Sequence, residues 1–174
     1  MPILTLVRHA KSSRDYPELS DFERPLNSRG RKDAPAIAAR LRKADIKPDL
    51  LVSSPATRAI TTARLFAEEL NMHLDEIVLN PHIYEASAWT LLHIVRSFAP
   101  PHMDVMLFGH NPGISHFAQD LCKDCPFDEM DTSASVRIDL PARGWSLVQP
   151  GSGKLLRYDT PKEAEPKLPA KKKN

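Results

Sequence analysis

The sequence lacks the features that mark membrane, secreted and nucleic-acid-binding proteins. No stretch approaches the ~20 consecutive apolar residues that a membrane span needs. The short apolar run at the start has no basic region before it, so we expect no signal peptide and a cytoplasmic protein. The 24 basic and 22 acidic residues leave a net charge of only +2, which favours neither nucleic acid nor a membrane surface as a partner.

Cysteine and glycine are also scarce. The two cysteines, Cys122 and Cys125, follow a helical pattern and precede Pro126, whereas a redox pair usually opens a helix after a strand. A structural zinc site would need two further ligands, and only His116 is close in sequence. We therefore interpret both as ordinary cysteines. The six glycines include no Gly-rich phosphate loop with its lysine.

The length of 174 residues and the 41% hydrophobic content predict one domain with a sizeable core. We place this domain at residues 1–159. Residues 160–174 are rich in Pro, Lys and Glu and lack apolar periodicity, which predicts a flexible tail. Its basic end, Lys171–Lys173, is either simply solvated or available to an acidic partner.

Apolar runs and helical patterns alternate along most of this domain. The predicted strands are 3–7, 50–53, 76–79, 104–108 and 135–140, and the predicted helices are 28–43, 56–70, 88–98 and 114–121. Residues 145–148 and 155–158 are predicted to form a closing hairpin. This alternation is typical of an α/β fold, in which helices cover both faces of a mostly parallel sheet and so form three layers.

Arginine or histidine side chains follow three of the predicted strands. Arg8 and His9 end the first strand, Arg58 lies in the first turn of the helix after the second, and Gly109 and His110 end the fourth. The carboxyl ends of parallel strands lie along one edge of a sheet, which is where ligands bind in such folds. We therefore expect two arginines and two histidines in one crevice, with helix N-termini directed into it.

This combination suits a phosphoryl group. A guanidinium binds phosphate oxygens through two parallel hydrogen bonds, and a neutral imidazole can attack phosphorus. A cation at a helix start is locally unfavourable, so Arg58 needs another partner. That partner is either a bound phosphate or a carboxylate such as Asp21 or Glu23. Each motif alone also fits a strand-end arginine or an ordinary loop histidine.

Taken together, the motifs resemble the histidine phosphatase superfamily, which has the phosphoglycerate-mutase-like fold. Shorter signals resemble its SixA-type phosphohistidine phosphatase branch, and the resemblance runs from Pro2 to about Tyr158. Ala10 departs from the pattern, because the superfamily usually has Gly there. The superfamily motifs are Arg8-His9-Ala10, Ser54-Pro55-Ala56-Thr57-Arg58-Ala59 and Gly109-His110-Asn111, and the branch signals are Arg24-Pro25-Leu26, Gly30 and Thr132-Ser133-Ala134.

The resemblance implies a role for each of the four central residues. His9 corresponds to the nucleophile, which becomes a phosphohistidine that water then hydrolyses. Arg8 and Arg58 correspond to the phosphate clamp, and His110 to a second histidine that donates to a phosphoryl oxygen. Because cationic side chains supply this charge, we predict neither a metal ion nor a cofactor.

Three further assignments extend this site. Arg24 matches a third arginine of the SixA-type pocket, or is a surface arginine before a proline. Asn111 can bind phosphate through its main-chain N–H. Glu85, after the third strand, is the candidate proton donor if burial raises its pKa, or else it caps the following helix.

The implied reaction is hydrolysis of phosphohistidine on a protein, which releases inorganic phosphate. A phosphatase for small phosphomonoesters, such as sugar or nucleotide phosphates, is the alternative. A mutase is less expected because no insertion is long enough for a shielding lid. A non-catalytic phosphate-binding module is a third class, which the presence of both His9 and His110 disfavours.

Overall fold

Strands and helices alternate from Ile3 to Leu121, as the hydrophobic pattern predicts. The computed structural model describes residues 1–169. Within them the strands are β1 Ile3–Arg8, β2 Leu50–Ser53, β3 Val78–Leu79, β4 Asp104–Gly109, β5 Ser135–Asp139 and β6 Lys154–Asp159. The helices are α1 Ser28–Lys43, α2 Thr57–Glu69, α3 Ala88–Arg96 and α4 Gly113–Leu121. No helix in this part of the chain is long and apolar enough to cross a membrane.

The six strands form one sheet in the order β3-β2-β4-β1-β5-β6. The first four in this order are parallel to one another, and β5 and β6 are antiparallel additions at one side. In this register Arg8 lies opposite Gly109, and Ser53 lies opposite Phe108. The carboxyl ends of β1, β2 and β4 therefore share one edge, and the predicted α/β class with a mostly parallel sheet is confirmed.

Alternate residues of the central strands supply two separate cores. Val105 and Leu107 of β4 face the core that includes α3 and α4, whereas Met106 and Phe108 face the core that includes α1 and α2. Because helices cover both faces, these strands are apolar at nearly every position. This packing explains why they are continuous apolar runs in the sequence and why the polar residues concentrate at the strand ends.

The predicted hairpin from residue 145 is wrong. Trp145–Leu147 form a 3-10 turn, and β6 pairs with β5 instead. The indole of Trp145 is 1% exposed, its N–H donates to the carbonyl oxygen of His102 at 2.6 Å, and its ring packs edge-on against Phe98. Burying the indole and satisfying its N–H through these distant contacts requires the chain to turn rather than extend.

Two element boundaries also differ from the prediction by more than one residue. The strand predicted at residues 76–79 is shortened to Val78–Leu79, because Leu74–Glu76 form a 3-10 turn. This strand lies at the edge of the sheet and pairs with β2 only. The helix predicted to reach residue 98 ends at Arg96.

The segment after β6 was predicted to be a flexible tail at residues 160–174, and its described part packs against the domain. Tyr158 and Lys167 exchange two main-chain hydrogen bonds of 2.8 Å. Arg40 donates to two carbonyl oxygens of this segment. The basic end, Lys171–Lys173, lies outside the described residues.

Candidate active site

The carboxyl edge of the sheet opens into a cavity of about 450 Å³. β1 brings Arg8 and His9 to its wall, β4 brings His110, and the first turn of α2 brings Arg58. The lining comprises Arg8, His9, Lys11, Ser12, Arg14, Asp21, Arg24, Arg58, Glu85, His110, Asn111 and Thr132. All seven residues that the sequence predicts for the site are therefore brought together, although their chemical roles stay predictions.

His9 is a neutral base whose proton position is set by the main chain. Its Nδ1 lies 2.7 Å from the carbonyl oxygen of Ala10, which can only accept, so we assign the ring proton to Nδ1. Burial, reinforced by nearby positive groups, lowers the pKa of His9 to about 3. The Nε2 lone pair is therefore available at neutral pH, and the Nε–H of Arg58 donates to it at 3.3 Å.

Ala10, the departure from the family pattern, is accommodated without strain. Its side chain is fully buried, and its N–H donates to the hydroxyl of Thr62 at 2.9 Å. The same residue thus orients His9 through its carbonyl and is itself held through its N–H. The main chain performs both tasks, so a methyl side chain at this position leaves the geometry intact.

Asp21 is the partner that holds Arg58. The guanidinium, 5% exposed, donates Nη2–H to the Asp21 carboxylate at 2.9 Å and Nη1–H to its carbonyl oxygen at 2.5 Å. The same carboxylate accepts from Tyr84 at 2.8 Å and from Arg24 at 3.1 Å. Although burial acts in the opposite direction, the Tyr84 and Arg58 hydrogen bonds lower the pKa of Asp21. The carboxylate of Asp21 is therefore one partner of Arg58, as the sequence analysis predicts.

Arg8 is only partly satisfied by protein groups. Its Nη1–H donates to the carbonyl oxygen of Met130 at 2.6 Å. Its Nε is buried and has no hydrogen-bond partner within residues 1–169, and burial lowers the pKa of the group. An unpaired buried N–H of a cation is costly, so this position favours an anion in the cavity.

His110 is a second neutral histidine, and one of its ring nitrogens has no partner in the described chain. Burial, followed by the charge of Arg58, lowers its pKa to about 4. Ser54 Oγ accepts from the N–H of Ala56 at 3.3 Å and lies 2.8 Å from His110 Nε2. We assign the Ser54 hydroxyl as donor to Nε2, which leaves the ring proton on Nδ1. Nδ1 is buried and has no partner in the described chain, so it is an uncommitted donor.

Asn111 lies at the cavity, but its side chain serves the neighbouring loop. Its amide donates to Glu129 at 2.9 Å and to the carbonyl oxygen of Met130 at 3.0 Å, and it accepts from Ser115. Since Met130 also accepts from Arg8, the amide indirectly fixes one arginine of the cavity. The predicted phosphate contact through the Asn111 main chain stays a prediction.

Glu85 reaches the cavity without the burial that the sequence analysis required of an acid. The residue is exposed and has φ of 54°, in the short connection between the 3-10 turn Pro81–Ile83 and α3. This left-handed turn leaves its carboxyl group in solvent at the cavity wall. The alternative role as a helix cap is wrong, because Ser87 caps α3, whereas the proton-donor role stays a prediction.

Several lining residues were not predicted. Lys11, Ser12 and Arg14 belong to a polar stretch without periodicity, and their closeness to the Arg8-His9 motif is the one signal that could have indicated them. No group of three or more His, Cys, Asp and Glu side chains placed to hold a metal ion occurs among residues 1–169. The thiol of Cys125 has its pKa raised by burial to about 12, which agrees with an ordinary cysteine.

A fold with two histidines and four arginines around a cavity at the carboxyl edge of its sheet matches a known family. The sequence model of the histidine phosphatase superfamily (branch 1) matches residues 4–90, and the chain belongs to this superfamily. The structure is similar to that of SixA from Agrobacterium tumefaciens, with 25% identity, a TM-score of 0.77, and coverage of 92% of this chain and 98% of that one. The predicted family and SixA-type branch are confirmed, and both support a phosphatase hydrolase.

Other similar proteins are more distant or less informative. A protein histidine phosphatase SixA complexed with tungstate shares the fold, with 20% identity, a TM-score of 0.77, and coverage of 91% and 97%. A mycobacterial glucosyl-3-phosphoglycerate phosphatase shares it at 17% identity, with a TM-score of 0.62 and coverage of 89% and 97%. An uncharacterized chloroplastic protein of Arabidopsis thaliana is 32% identical over 63% of this chain, which spans about half (54%) of that relative.

Proposed function

We propose that this protein hydrolyses phosphohistidine on a protein substrate through a covalent phosphohistidine formed at His9. The observation that carries the proposal is the tautomer and charge of the His9 ring. The Ala10 carbonyl fixes its proton on Nδ1, and its pKa of about 3 keeps Nε2 unprotonated beside buried guanidinium groups. An imidazole held in this way is a nucleophile aimed at an anionic centre.

The first step transfers the phosphoryl group to the enzyme. His9 Nε2 attacks phosphorus, the bond from phosphorus to the leaving nitrogen breaks, and its electron pair stays on that nitrogen. Arg8, Arg58 and the Nδ1–H of His110 donate to the three phosphoryl oxygens, where negative charge is concentrated. Within residues 1–169, Arg8 Nε and His110 Nδ1 are both buried and have no hydrogen-bond partner.

The second step returns the enzyme to its starting state. Water attacks the phosphorus of phospho-His9 and releases inorganic phosphate, while the electron pair of the P–N bond returns to Nε2. Because Nδ1–H stays bound to the Ala10 carbonyl throughout, the departing group is a neutral imidazole. A neutral leaving group needs no general acid.

The environment of Glu85 favours a phosphohistidine substrate over a phosphate ester. An alkoxide leaving group needs a proton from a buried acid, whereas Glu85 is exposed. A histidine imidazole whose other nitrogen is already protonated leaves as a neutral group without such help. The similarity to SixA, described as a phosphohistidine phosphatase, supports the same substrate class.

Small phosphomonoesters are the second candidate. The cavity of about 450 Å³ can hold a whole small phosphate ester, and a structural relative is a glucosyl-3-phosphoglycerate phosphatase. Hydrolysis rates on a phosphohistidine protein and on a panel of sugar and nucleotide phosphates separate the two. A preference of about a thousandfold for a small ester would overturn the phosphohistidine proposal.

Trapping the intermediate tests the covalent mechanism and distinguishes an enzyme from a phosphate-binding module without catalytic activity. Protein carrying labelled phosphohistidine is mixed with enzyme and quenched in alkali, in which phosphohistidine survives. We expect label on the wild-type enzyme and on His73→Ala, a control at an exposed histidine outside the cavity. His9→Ala should carry none and should lose turnover. Turnover that persists in His9→Ala would contradict the proposed nucleophile.

A further inference from the structure

A second cavity adjoins the catalytic one. It has a volume of about 470 Å³ and lies between the Glu85–Ala88 segment and the start of α4. The two cavities share Glu85, His110 and Asn111, so the second continues from the wall that would face a bound phosphoryl group. No residue of the Arg8–His9 motif lines it.

The chemistry of this second cavity differs sharply from that of the first. No arginine or lysine lines it, whereas five line the catalytic cavity. Its walls are formed in part by the small apolar residues Ala86, Ala88 and Pro112. A phosphoryl dianion has no arginine or lysine partner here, but a flat ring attached to phosphorus would fit between such walls.

The position of Glu85 at the junction is fixed by tight main-chain packing. A Cβ at Gly113 would lie 1.8 Å from the carbonyl oxygen of Ala86, so α4 approaches this loop more closely than any other residue permits. Tyr84, just before Glu85, is held by its hydrogen bond to Asp21. The exposed carboxylate therefore projects from an anchored loop at the boundary of the two cavities.

We propose that the second cavity binds the imidazole ring of the substrate phosphohistidine and that the Glu85 carboxylate accepts a hydrogen bond from the ring nitrogen not bonded to phosphorus. The inference rests on the proposed function and names the group that recognises the leaving side of the substrate. It replaces the role of Glu85 as a proton donor with that of a hydrogen-bond acceptor.

The bond changes balance without any external acid. The distal ring nitrogen of the substrate enters protonated and bonded to Glu85. As the P–N bond breaks, its electron pair remains on the proximal nitrogen, and the product is a neutral imidazole that retains the distal N–H. Glu85 thereby does for the substrate ring what the Ala10 carbonyl does for His9. Each half-reaction expels an imidazole whose other nitrogen is protonated and held.

Three small probes separate this role from the alternatives. N-phosphoimidazole carries the imidazole ring, phosphoramidate has a P–N bond without a ring, and p-nitrophenyl phosphate has an aromatic ring but neither a ring N–H nor a P–N bond. We expect Glu85→Gln to lower kcat/KM for phosphoimidazole by about 10- to 100-fold, the effect of losing a charged hydrogen bond. The other two probes should lose far less. Glu76→Gln, a neighbouring exposed carboxylate outside both cavities, is the matched control and should match wild type on all three.

Each contrary result has a definite meaning. An equal loss on all three probes would show that Glu85 acts on the phosphoryl group and would overturn the inference, as would no loss on phosphoimidazole. A larger loss on the esters would restore the proton-donor role. If the wild-type enzyme did not form a phosphoenzyme from phosphoimidazole, the proposed function itself would fail.

Filling the cavity supplies an independent measurement. Ala88→Leu places a larger side chain in the wall and should raise KM for phosphoimidazole, with the inhibition constant of tungstate, a phosphate-like anion, unchanged. A parallel weakening of tungstate would show that the effect is not confined to the ring subsite. Since Glu85 is exposed, its substitution gives a result even if Ala88→Leu folds poorly.

Discussion

Replacing Ser54 with alanine should move the proton of His110 without changing its charge. Ser54 is fully buried, and its hydroxyl lies 2.8 Å from His110 Nε2 while accepting from the N–H of Ala56. We assign the hydroxyl proton to Nε2, which places the ring proton on Nδ1. Without the hydroxyl, nothing prevents the proton from residing on Nε2, and Nδ1 then cannot donate to a phosphoryl oxygen.

The structure sets the size of both effects of Ser54→Ala. Two buried groups lose their partner, His110 Nε2 and the Ala56 N–H, which should cost about 1–3 kcal/mol of unfolding free energy. Deleting a donor to developing negative charge lowers kcat by about 100- to 1000-fold. Because both tautomers remain populated, the loss is limited by the fraction that keeps its proton on Nδ1, and we expect a fall of about 2- to 10-fold in kcat and a smaller change in KM.

Ser53→Ala is the matched control, since Ser53 is equally buried and its hydroxyl donates to the Ser54 carbonyl at 2.9 Å. It should lose stability similarly and keep wild-type kcat. Nitrogen-15 chemical shifts of the His110 ring should show a protonated Nδ1 in the wild type and a mixture in Ser54→Ala. Wild-type kcat in Ser54→Ala, or the same loss in Ser53→Ala, would refute the tautomer argument.

Further expectations concern pH and close packing. His9 and His110 have pKa values of about 3 and 4 in the folded protein, below the ~6.5 of the unfolded chain, so unfolding takes up protons as pH falls below about 7. Between pH 6 and pH 5 this should remove about 2 kcal/mol of stability in urea titrations, and about half as much in His110→Asn; a flat profile would contradict the burial argument. Gly30→Ala should lower Tm by about 2–8 °C, because a Cβ there would lie 2.2 Å from the Lys11 carbonyl oxygen. Gly113→Ala should lower Tm by a similar amount and should also lower kcat/KM, because it displaces the Glu85 loop. An unchanged Tm in either variant would show that the main chain shifts without cost to make room for the Cβ.

The central fold was predictable because burial on both faces leaves a simple pattern. β1, β2 and β4 are covered by helices on each side, so they are short apolar runs, and polar residues at their ends stand out. The strand predicted at residues 145–148 is wrong for the opposite reason. Alternation there reflects one indole buried against Phe98 and bonded to His102, contacts that are distant in sequence and leave no local period.

The candidate site also has features that the sequence predicts and features that it does not. Arg8, His9, Arg58 and His110 were predictable because parallel strands carry them to one edge. The contacts that set their protonation states were not predictable. The Ser54–His110 pair joins residues 56 positions apart, and the tautomer depends on which hydroxyl lies beside which nitrogen. The exposure of Glu85 likewise follows from a left-handed turn that its residue type does not favour.

In the proposed mechanism Arg58 contacts both the nucleophile and the phosphoryl group, and its geometry sets the order of events during attack. Its Nε–H donates to His9 Nε2 at 3.3 Å, while its two other nitrogens are held by Asp21. The Nε2 lone pair cannot accept this hydrogen bond and attack phosphorus at once. The Nε–H of Arg58 must therefore leave Nε2 and donate to a phosphoryl oxygen before His9 reacts. Asp21 allows this exchange because it anchors the guanidinium at its far end, so only the Nε–H changes partner. The nucleophile is therefore released by the same oxygen atoms that the clamp recognises.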